Sequence, residues 1–422
     1  MSQPIDTKQQ STYSPHAIHP AIPEAAIPAV PLPSPEAMPA WMTFLLAAAC
    51  GLIVANLYFA QPLISLIAAD VGLDKSAASL IVTLTQGGYC AGLLLLVPLG
   101  DLIENRRLIV AAIGGVILAL VLAATAPTAS VFLVASLLIG VSAVAVQMLV
   151  PLAAHMAQDA TRGSVVGNVM SGLLLGIMLS RPISSFVAHA FGWRAVFGSS
   201  AGVMVVLLLV LRRLLPQRRP DASHTYPELI GTLWILLRDT PILRRRAAYH
   251  AALFASFTLY WTIVPLLLAG PYFNFTQSGI GFFALTGAAG VLSAPLAGRM
   301  ADRGWSRIGT GIALAAALAG FAMAHVGARG ALLPLLFGGV LLDLGVQANL
   351  VLGQRAIYAL GAHTRSRLNG LFMAMFFGGG AVGSAISSYT YLHGGWEAVS
   401  WIGMAFPLAA FIFYLTEFRN KS

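Results

Sequence analysis

Twelve long apolar runs, at roughly 42–69, 77–99, 108–126, 129–153, 164–190, 195–215, 247–270, 278–298, 309–326, 331–353, 369–391 and 398–416, constrain this chain more than any other feature. A strand buried on one face alternates apolar and polar side chains over about 4–8 residues, whereas these runs are far longer and apolar on every side. In hydrocarbon a helix satisfies its own backbone hydrogen bonds, and about 20 residues span the bilayer core. The sequence therefore predicts an all-α integral membrane protein with twelve transmembrane helices, numbered here as spans 1 to 12. Composition excludes an ordinary soluble enzyme: 58% of the 422 residues are hydrophobic and 9% charged, where a soluble domain carries about 25% charged residues.

Basic residues set the orientation, because cytoplasmic loops retain them. With the N-terminal tail and alternate loops inside, 20 of the 24 Lys and Arg fall on that face, while Lys75, Arg194 and Arg329 fall on the other and Arg181 lies within span 5. Both termini are expected in the cytoplasm, of a protein in the cell (inner) membrane. The net charge of +9 is then a topological signal. Nucleic acid would want basic and aromatic side chains interleaved on one face, so the lipid bilayer is the expected surface and nucleic acid is not an expected partner.

Residues 1–40 hold nine prolines and one Lys and are predicted to be a disordered cytoplasmic tail. Residues 41–215 and 247–418 are separated by a basic linker, 216–246, in which Leu229, Ile230, Leu233, Trp234 and Leu237 share one helical face. That face is expected to lie flat at the inner headgroup surface. His155 and His250, near inner span ends, are expected at the interface, and Cys50 and Cys90 to pack as small apolar residues.

The two long segments repeat one another. Gly192-Trp193-Arg194-Ala-Val precedes Gly395-Trp396-Glu397-Ala-Val by 203 residues, and the same step relates Pro62 to Pro265, Arg162 to Arg365 and Gly176 to Gly379. After span 2 the step becomes 201, relating Asp101 to Asp302. Two six-helix repeats joined by the linker are predicted, an arrangement built to rock about a site near the bilayer midplane.

Two loop sequences carry a family resemblance. Gly298-Arg-Met-Ala-Asp302-Arg303-Gly304-Trp-Ser-Arg307 after span 8, and its partial copy Gly100-Asp101-Leu-Ile-Glu104-Asn-Arg106-Arg107 after span 2, resemble the loop signature of the major facilitator superfamily. The resemblance covers about residues 42–416 and implies that family's fold, with spans 1, 4, 7 and 10 around a central cavity. Gly176-Ile-Met-Leu-Ser180-Arg181-Pro182-Ile-Ser184-Ser185 in span 5 resembles a worn form of the family's antiporter signature, with Arg181 where proline is usual. An acid at the inner end of a span can cap a neighbouring helix or pair with arginines, so Asp101, Arg106, Asp302 and Arg303 are expected to form a gate. Paired glycines in spans 2, 5, 8 and 11 are expected where the halves slide, since small residues four apart let backbones approach.

Under that fold the midspan polar residues of the cavity spans are Asn56, Tyr58, Gln61, Gln147, Tyr260, Trp261, Gln347 and Asn349. A buried amide or hydroxyl needs a partner, and as a set these predict an amphipathic cavity with aromatic walls. Arg181 and Asp343 are the fixed charges deep in the spans, and such charges are rarely incidental. Their equal depth makes a meeting across the halves geometrically possible, and they are expected to couple protons. The predicted function is secondary active transport of a small organic solute by alternating access, as proton-coupled efflux, with solute uptake by symport or facilitated diffusion as the alternative. An integral-membrane enzyme would need grouped nucleophile, base or metal ligands, which the spans lack. No cofactor, no metal and no partner subunit are expected.

Overall fold

Length and apolarity do what the sequence requires: every predicted span falls largely on helical backbone. The computed structural model describes residues 38–158, 161–220, 225–327, 330–360 and 365–419, so residues 1–37 of the predicted tail and Arg329 lie outside the described residues. The helices are α1 (Ala40–Ala55), α2 (Ile64–Val71), α3 (Leu80–Leu95), α4 (Asn105–Ala124), α5 (Ala129–Ser142), α6 (Ala145–Met156), α7 (Arg162–Phe191), α8 (Trp193–Leu214), α9 (Tyr226–Asp239), α10 (Pro241–Ala269), α11 (Gln277–Ala284), α12 (Ser293–Asp302), α13 (Ser306–Gly327), α14 (Leu332–Tyr358) and α15 (Arg365–Arg419). Among the described residues, nine helical stretches are long and apolar enough to cross a membrane, and Ala40–Ala55 and Gln61–Val71 are shorter apolar helices. Large apolar side chains face outward, including Phe44 at 76%, Leu118 at 74% and Val206 at 62% exposure. Exposed apolar surface on this scale is stable only against another apolar phase, which for a chain of this hydropathy is lipid.

The spans are not all continuous α-helix. Span 1 breaks between α1 and α2 around Pro62, which has no N–H to give, and a short 3₁₀ turn, Gln61–Leu63, bridges the break. Span 8 is α11, a 3₁₀ segment Leu285–Leu292, and α12. Spans 11 and 12 run on as α15, bent at Gly395, whose φ of 60° is left-handed. Gly192, between α7 and α8, has φ 83°. These two glycines are repeat mates, and both turns need a residue without a Cβ. A side chain just past each turn reaches an earlier span: Arg194 donates to the Ala126 carbonyl of span 3 at 3.0 Å and the Trp396 indole to the Ala324 carbonyl of span 9 at 3.0 Å.

Packing corrects the expectation for the glycines. A Cβ on Gly51 would lie 2.6 Å from the Gly172 carbonyl oxygen, and one on Gly92 2.5 Å from that of Val141. Gly379 and Gly383 meet the Ala251 and Ala255 carbonyls of α10 in the same manner. These glycines close α1 on α7, α3 on α5 and α10 on α15, pairs that belong to one repeat each. Contact between the two groups does run through spans 2, 5, 8 and 11, as α3 with α15 and α7 with α11, but a Cβ on Gly87 of that contact would find its nearest atom, of Ala381, 4.0 Å away.

Two further expectations are corrected. The apolar face of α9 is split: Leu229 and Leu233 are buried against the protein, while Trp234 is 67% exposed. Its start is held by a capping box between Thr225 and Glu228, and Tyr226 donates to the Leu95 carbonyl at 2.9 Å. His250 is fully buried rather than interfacial, stacked on Phe372 and Phe376. Cys50 is buried and Cys90 partly so, and both are free thiols.

Candidate functional site

A cavity of about 650 Å³ lies between the two groups of helices, within the range of pockets that hold drug-sized ligands. Its walls are mainly apolar, from Val54, Leu173, Ile177, Phe254, Phe257 and Phe376, with polar positions at Tyr58, Tyr89, Gln147, Gln347, Gln354 and Asn369. Gln147 donates to the Tyr89 hydroxyl at 3.2 Å and accepts from Asn369 at 3.4 Å, so this polar wall is hydrogen-bonded across the groups. The cavity reaches exposed Arg162 and Gly163 at the start of α7 and Tyr358 at the end of α14.

The opposite end is shut. The Ser79 N–H donates to Ser388 Oγ at 3.0 Å, and Ser384 Oγ donates to the Ser79 carbonyl at 3.1 Å. Gln277 Nε2 donates to the Pro62 carbonyl at 3.0 Å and to Ser185 Oγ at 3.2 Å. Phe186 and Phe282 meet edge to face at 5.0 Å. Every one of these contacts joins the first group of helices to the second.

Between the cavity and this shut end lies a layer of buried polar groups, each one helical turn beyond a residue that lines the cavity. Gln61 follows Tyr58, Arg181 follows Ile177, Trp261 follows Phe257, and Asp343 precedes Gln347. Arg181 Nε donates to Gln61 Oε1 at 2.8 Å. The guanidinium carbon lies 4.6 Å from the Trp261 ring centroid, 5.1 Å from that of Phe257 and 5.2 Å from that of Tyr58. Desolvated cation–π contacts contribute about 2 kcal/mol or more. On its other side the Trp261 indole N–H donates to Asp343 Oδ1 at 2.9 Å. No Arg181–Asp343 ion pair within 4.0 Å forms among the described residues, although the two charges are within electrostatic range. The two deep charges thus meet through Trp261, one on its face and the other on its edge. Gly287 of the 3₁₀ segment makes room: a Cβ there would lie 2.8 Å from Asp343 Oδ2 and 3.2 Å from the indole.

The predicted cavity residues divide into three sets. Tyr58, Gln147 and Gln347 line the cavity, and Gln61 and Trp261 lie in the layer beyond it. Asn56, Tyr260 and Asn349 instead make helix-to-helix hydrogen bonds. Asn56 Oδ1 accepts from Ser200 at 2.7 Å, the Tyr260 hydroxyl donates to the Leu335 carbonyl at 2.7 Å, and Asn349 lies 3.2 Å from His250 Nδ1. Tyr89, Gln354 and Asn369 line the cavity from outside the predicted set; the last two sit close to span ends, where a polar residue reads as loop.

The four predicted gate residues also separate. Asp101 accepts from Arg367 Nη2 at 3.2 Å, linking the end of span 2 to the start of span 11 across the groups. Asp302 instead pairs with Arg355, joining α12 to α14 within one group. Arg303 stacks on Trp305 at 5.6 Å, and Arg106 has no ion pair among the described residues, while its neighbour Arg107 holds Glu104 at 3.1 Å. Arg367 was the missing partner; a basic residue beside a cytoplasmic span end is indistinguishable in sequence from a topological charge. Among the described residues no group of three or more His, Cys, Asp or Glu is placed to hold a metal.

A sequence model of the Major Facilitator Superfamily matches residues 43–338 and, separately, 251–421. The chain is 40% identical over 393 residues to "Uncharacterized transporter YgaY" of Escherichia coli O157:H7, covering 92% of this chain and 98% of that one. It is 34% identical over 362 residues to "Probable transporter SCO4007" of Streptomyces coelicolor, covering 84% and 82%. Among solved structures, a point mutant of the nucleoside transporter NupG superposes with a TM-score of 0.71 at 14% identity, covering 89% of this chain and all of that one.

Proposed function

The chain belongs to the major facilitator superfamily, and from that premise we propose that it is a secondary active transporter moving a small amphipathic organic solute by alternating access, coupled to protons at Asp343. The observation that carries this reading is the pairing of a cavity open at one end with a buried charge layer at its closed end. On the expected topology, twelve crossings in two six-helix halves joined by a cytoplasmic linker at 216–246, the open end of the cavity faces the cytoplasm. The solute enters between Tyr358 and Arg162 and packs on Tyr58, Phe254 and Phe257. Rocking of the halves then breaks the Ser79–Ser388 and Gln277–Pro62 contacts while Asp101 and Arg367 hold the inner end.

Efflux in exchange for protons is the direction that the worn antiporter signature in span 5 implies. Uptake in company with a proton is the second reading, and Arg181 favours it: a solute anion beside the guanidinium leaves Asp343 without its counter-charge, and a proton restores the balance. Purified protein in proteoliposomes tests both. Asp343→Asn is expected to abolish accumulation driven by a pH gradient while solute counterflow persists. Proton-driven accumulation intact in Asp343→Asn would remove Asp343 as the proton site, and the sign of the pH gradient that drives accumulation separates antiport from symport.

A further inference from the structure

The hydrogen-bonding inventory of the charge layer does not close. Arg181 is 2% exposed and Gln61 fully buried. Arg181 Nε takes Gln61 Oε1, which fixes the amide orientation, because the flipped form would set N–H against N–H. That leaves Gln61 Nε2 without an acceptor, and Arg181 Nη2 without one as well. Two buried donors from one hydrogen-bonded pair are therefore unmatched, and one belongs to a cation. Such groups are strongly unfavourable unless an acceptor arrives.

We propose that Arg181 and Gln61 form an anion subsite at the closed end of the transport cavity, and that the solute is an amphipathic organic carboxylate. A carboxylate offers two oxygens in one plane, the arrangement that guanidinium and amide N–H groups bind best. Its apolar part fits the wall below, because Tyr58 and Phe257 both line the cavity and both lie under the guanidinium. The guanidinium thus lies behind two rings of the cavity wall, one of which must turn aside to admit the anion. The buried unmatched groups of the layer are donors, on Gln61 and Arg181, while Asp343 Oδ1 already accepts from the Trp261 indole. The subsite rests on reading the cavity as the solute path, and it adds a sign to the coupling. Arg181, Asp343 and a bound carboxylate leave one excess negative charge in a low-dielectric layer, so a proton on Asp343 loads with the solute, which selects the second reading, uptake in company with a proton, over exchange. The other titratable groups facing the pair are Tyr58 beside Arg181 and Tyr260 beside Asp343, phenols that ordinarily ionise near pH 10.

The test uses the purified full-length protein and four acid–amide pairs: 3-phenylpropanoate, hexanoate, octanoate and decanoate, each with its uncharged amide. Calorimetry is expected to show at least one acid binding about tenfold or more tighter than its amide, equivalent to about 1.4 kcal/mol. Arg181→Gln and, as a variant that keeps the side-chain size, Gln61→Glu are expected to bring that ratio to about one, with folding followed by elution profile and melting temperature. Gln61→Glu is the sharper of the two, since it gives Arg181 an internal carboxylate in place of the solute's. Acid affinity is also expected to rise as the pH falls in the native protein and not in Asp343→Asn. Acids and amides bound equally would overturn the subsite and leave the transport reading standing. No binding by any member of the pairs would overturn the subsite, and absence of solute flux besides would remove the transport reading with it.

Discussion

Trp261 is the residue on which the most depends. Its ring face carries a guanidinium and its N–H holds a carboxylate, so substitutions can separate the two roles. Trp261→Phe keeps a face for Arg181 and leaves Asp343 Oδ1 without its donor. Hydrogen bonds to charged groups contribute about 1.5–3 kcal/mol, about tenfold or more in an equilibrium. Proton-driven accumulation in Trp261→Phe is therefore expected to fall about tenfold, with counterflow much less affected; equal loss of both would show that the indole N–H does not serve coupling. The identity of these residues was legible in sequence, since an arginine and an aspartate deep in apolar spans stand out by their desolvation penalty. That a tryptophan would stand between them was not, because aromatic residues in apolar spans are common and only side-chain placement distinguishes a packing ring from a bridging one.

Elements are held together by backbone proximity, and the glycines report it. Gly51→Ala would push a methyl to 2.6 Å from the Gly172 carbonyl oxygen, a clash with backbone that no rotamer relieves. Overpacking of this kind costs about 1–3 kcal/mol, and a drop in melting temperature is expected. Gly87→Ala meets its nearest atom at 4.0 Å and is expected to stabilise by about 0.4–1 kcal/mol through the unfolded chain. Opposite signs for these two helix-interior substitutions check the packing map directly; equal signs would contradict it. The sequence pattern alone set Gly92, Gly379 and Gly383 between the halves, although each packs inside its own group, because spacing does not record which neighbour a helix face meets.

For the molecule as a whole, the two groups of helices are joined at the two ends of the cavity by different chemistry. The Ser79, Ser384 and Gln277 contacts are hydrogen bonds of neutral side chains, while Asp101 and Arg367 form an ion pair that is partly exposed, at 48% and 26%. Exposed pairs contribute about 0–1 kcal/mol, so Asp101→Asn is expected to slow turnover by no more than about fivefold. The reversed pair, Asp101→Arg with Arg367→Asp, is expected to recover most of the loss, and failure to recover would show that each charge acts alone. Orientation is tested separately. Cysteines introduced at exposed Gln217 and Tyr272, in a background lacking Cys50 and Cys90, are expected to be labelled from the cytoplasmic and the outer side respectively; labelling of both from one side would refute the proposed topology.

The all-helical membrane fold followed from the sequence itself, because the length and apolarity of a run are local properties and hydrocarbon leaves the backbone few alternatives. Two marks of the sequence repeat, Gly192 and Gly395, share a positive φ, a feature set by backbone conformation at single residues. Partner choice belonged to the tertiary structure. Asn56, Tyr260 and Asn349 are as polar and as central in their spans as Tyr58 and Gln347, yet the first three are consumed in helix-to-helix hydrogen bonds and the last two face the cavity. Which way a side chain points depends on how each helix is rotated against its neighbours. That rotation is set by the summed packing of both faces, which no single residue or spacing encodes.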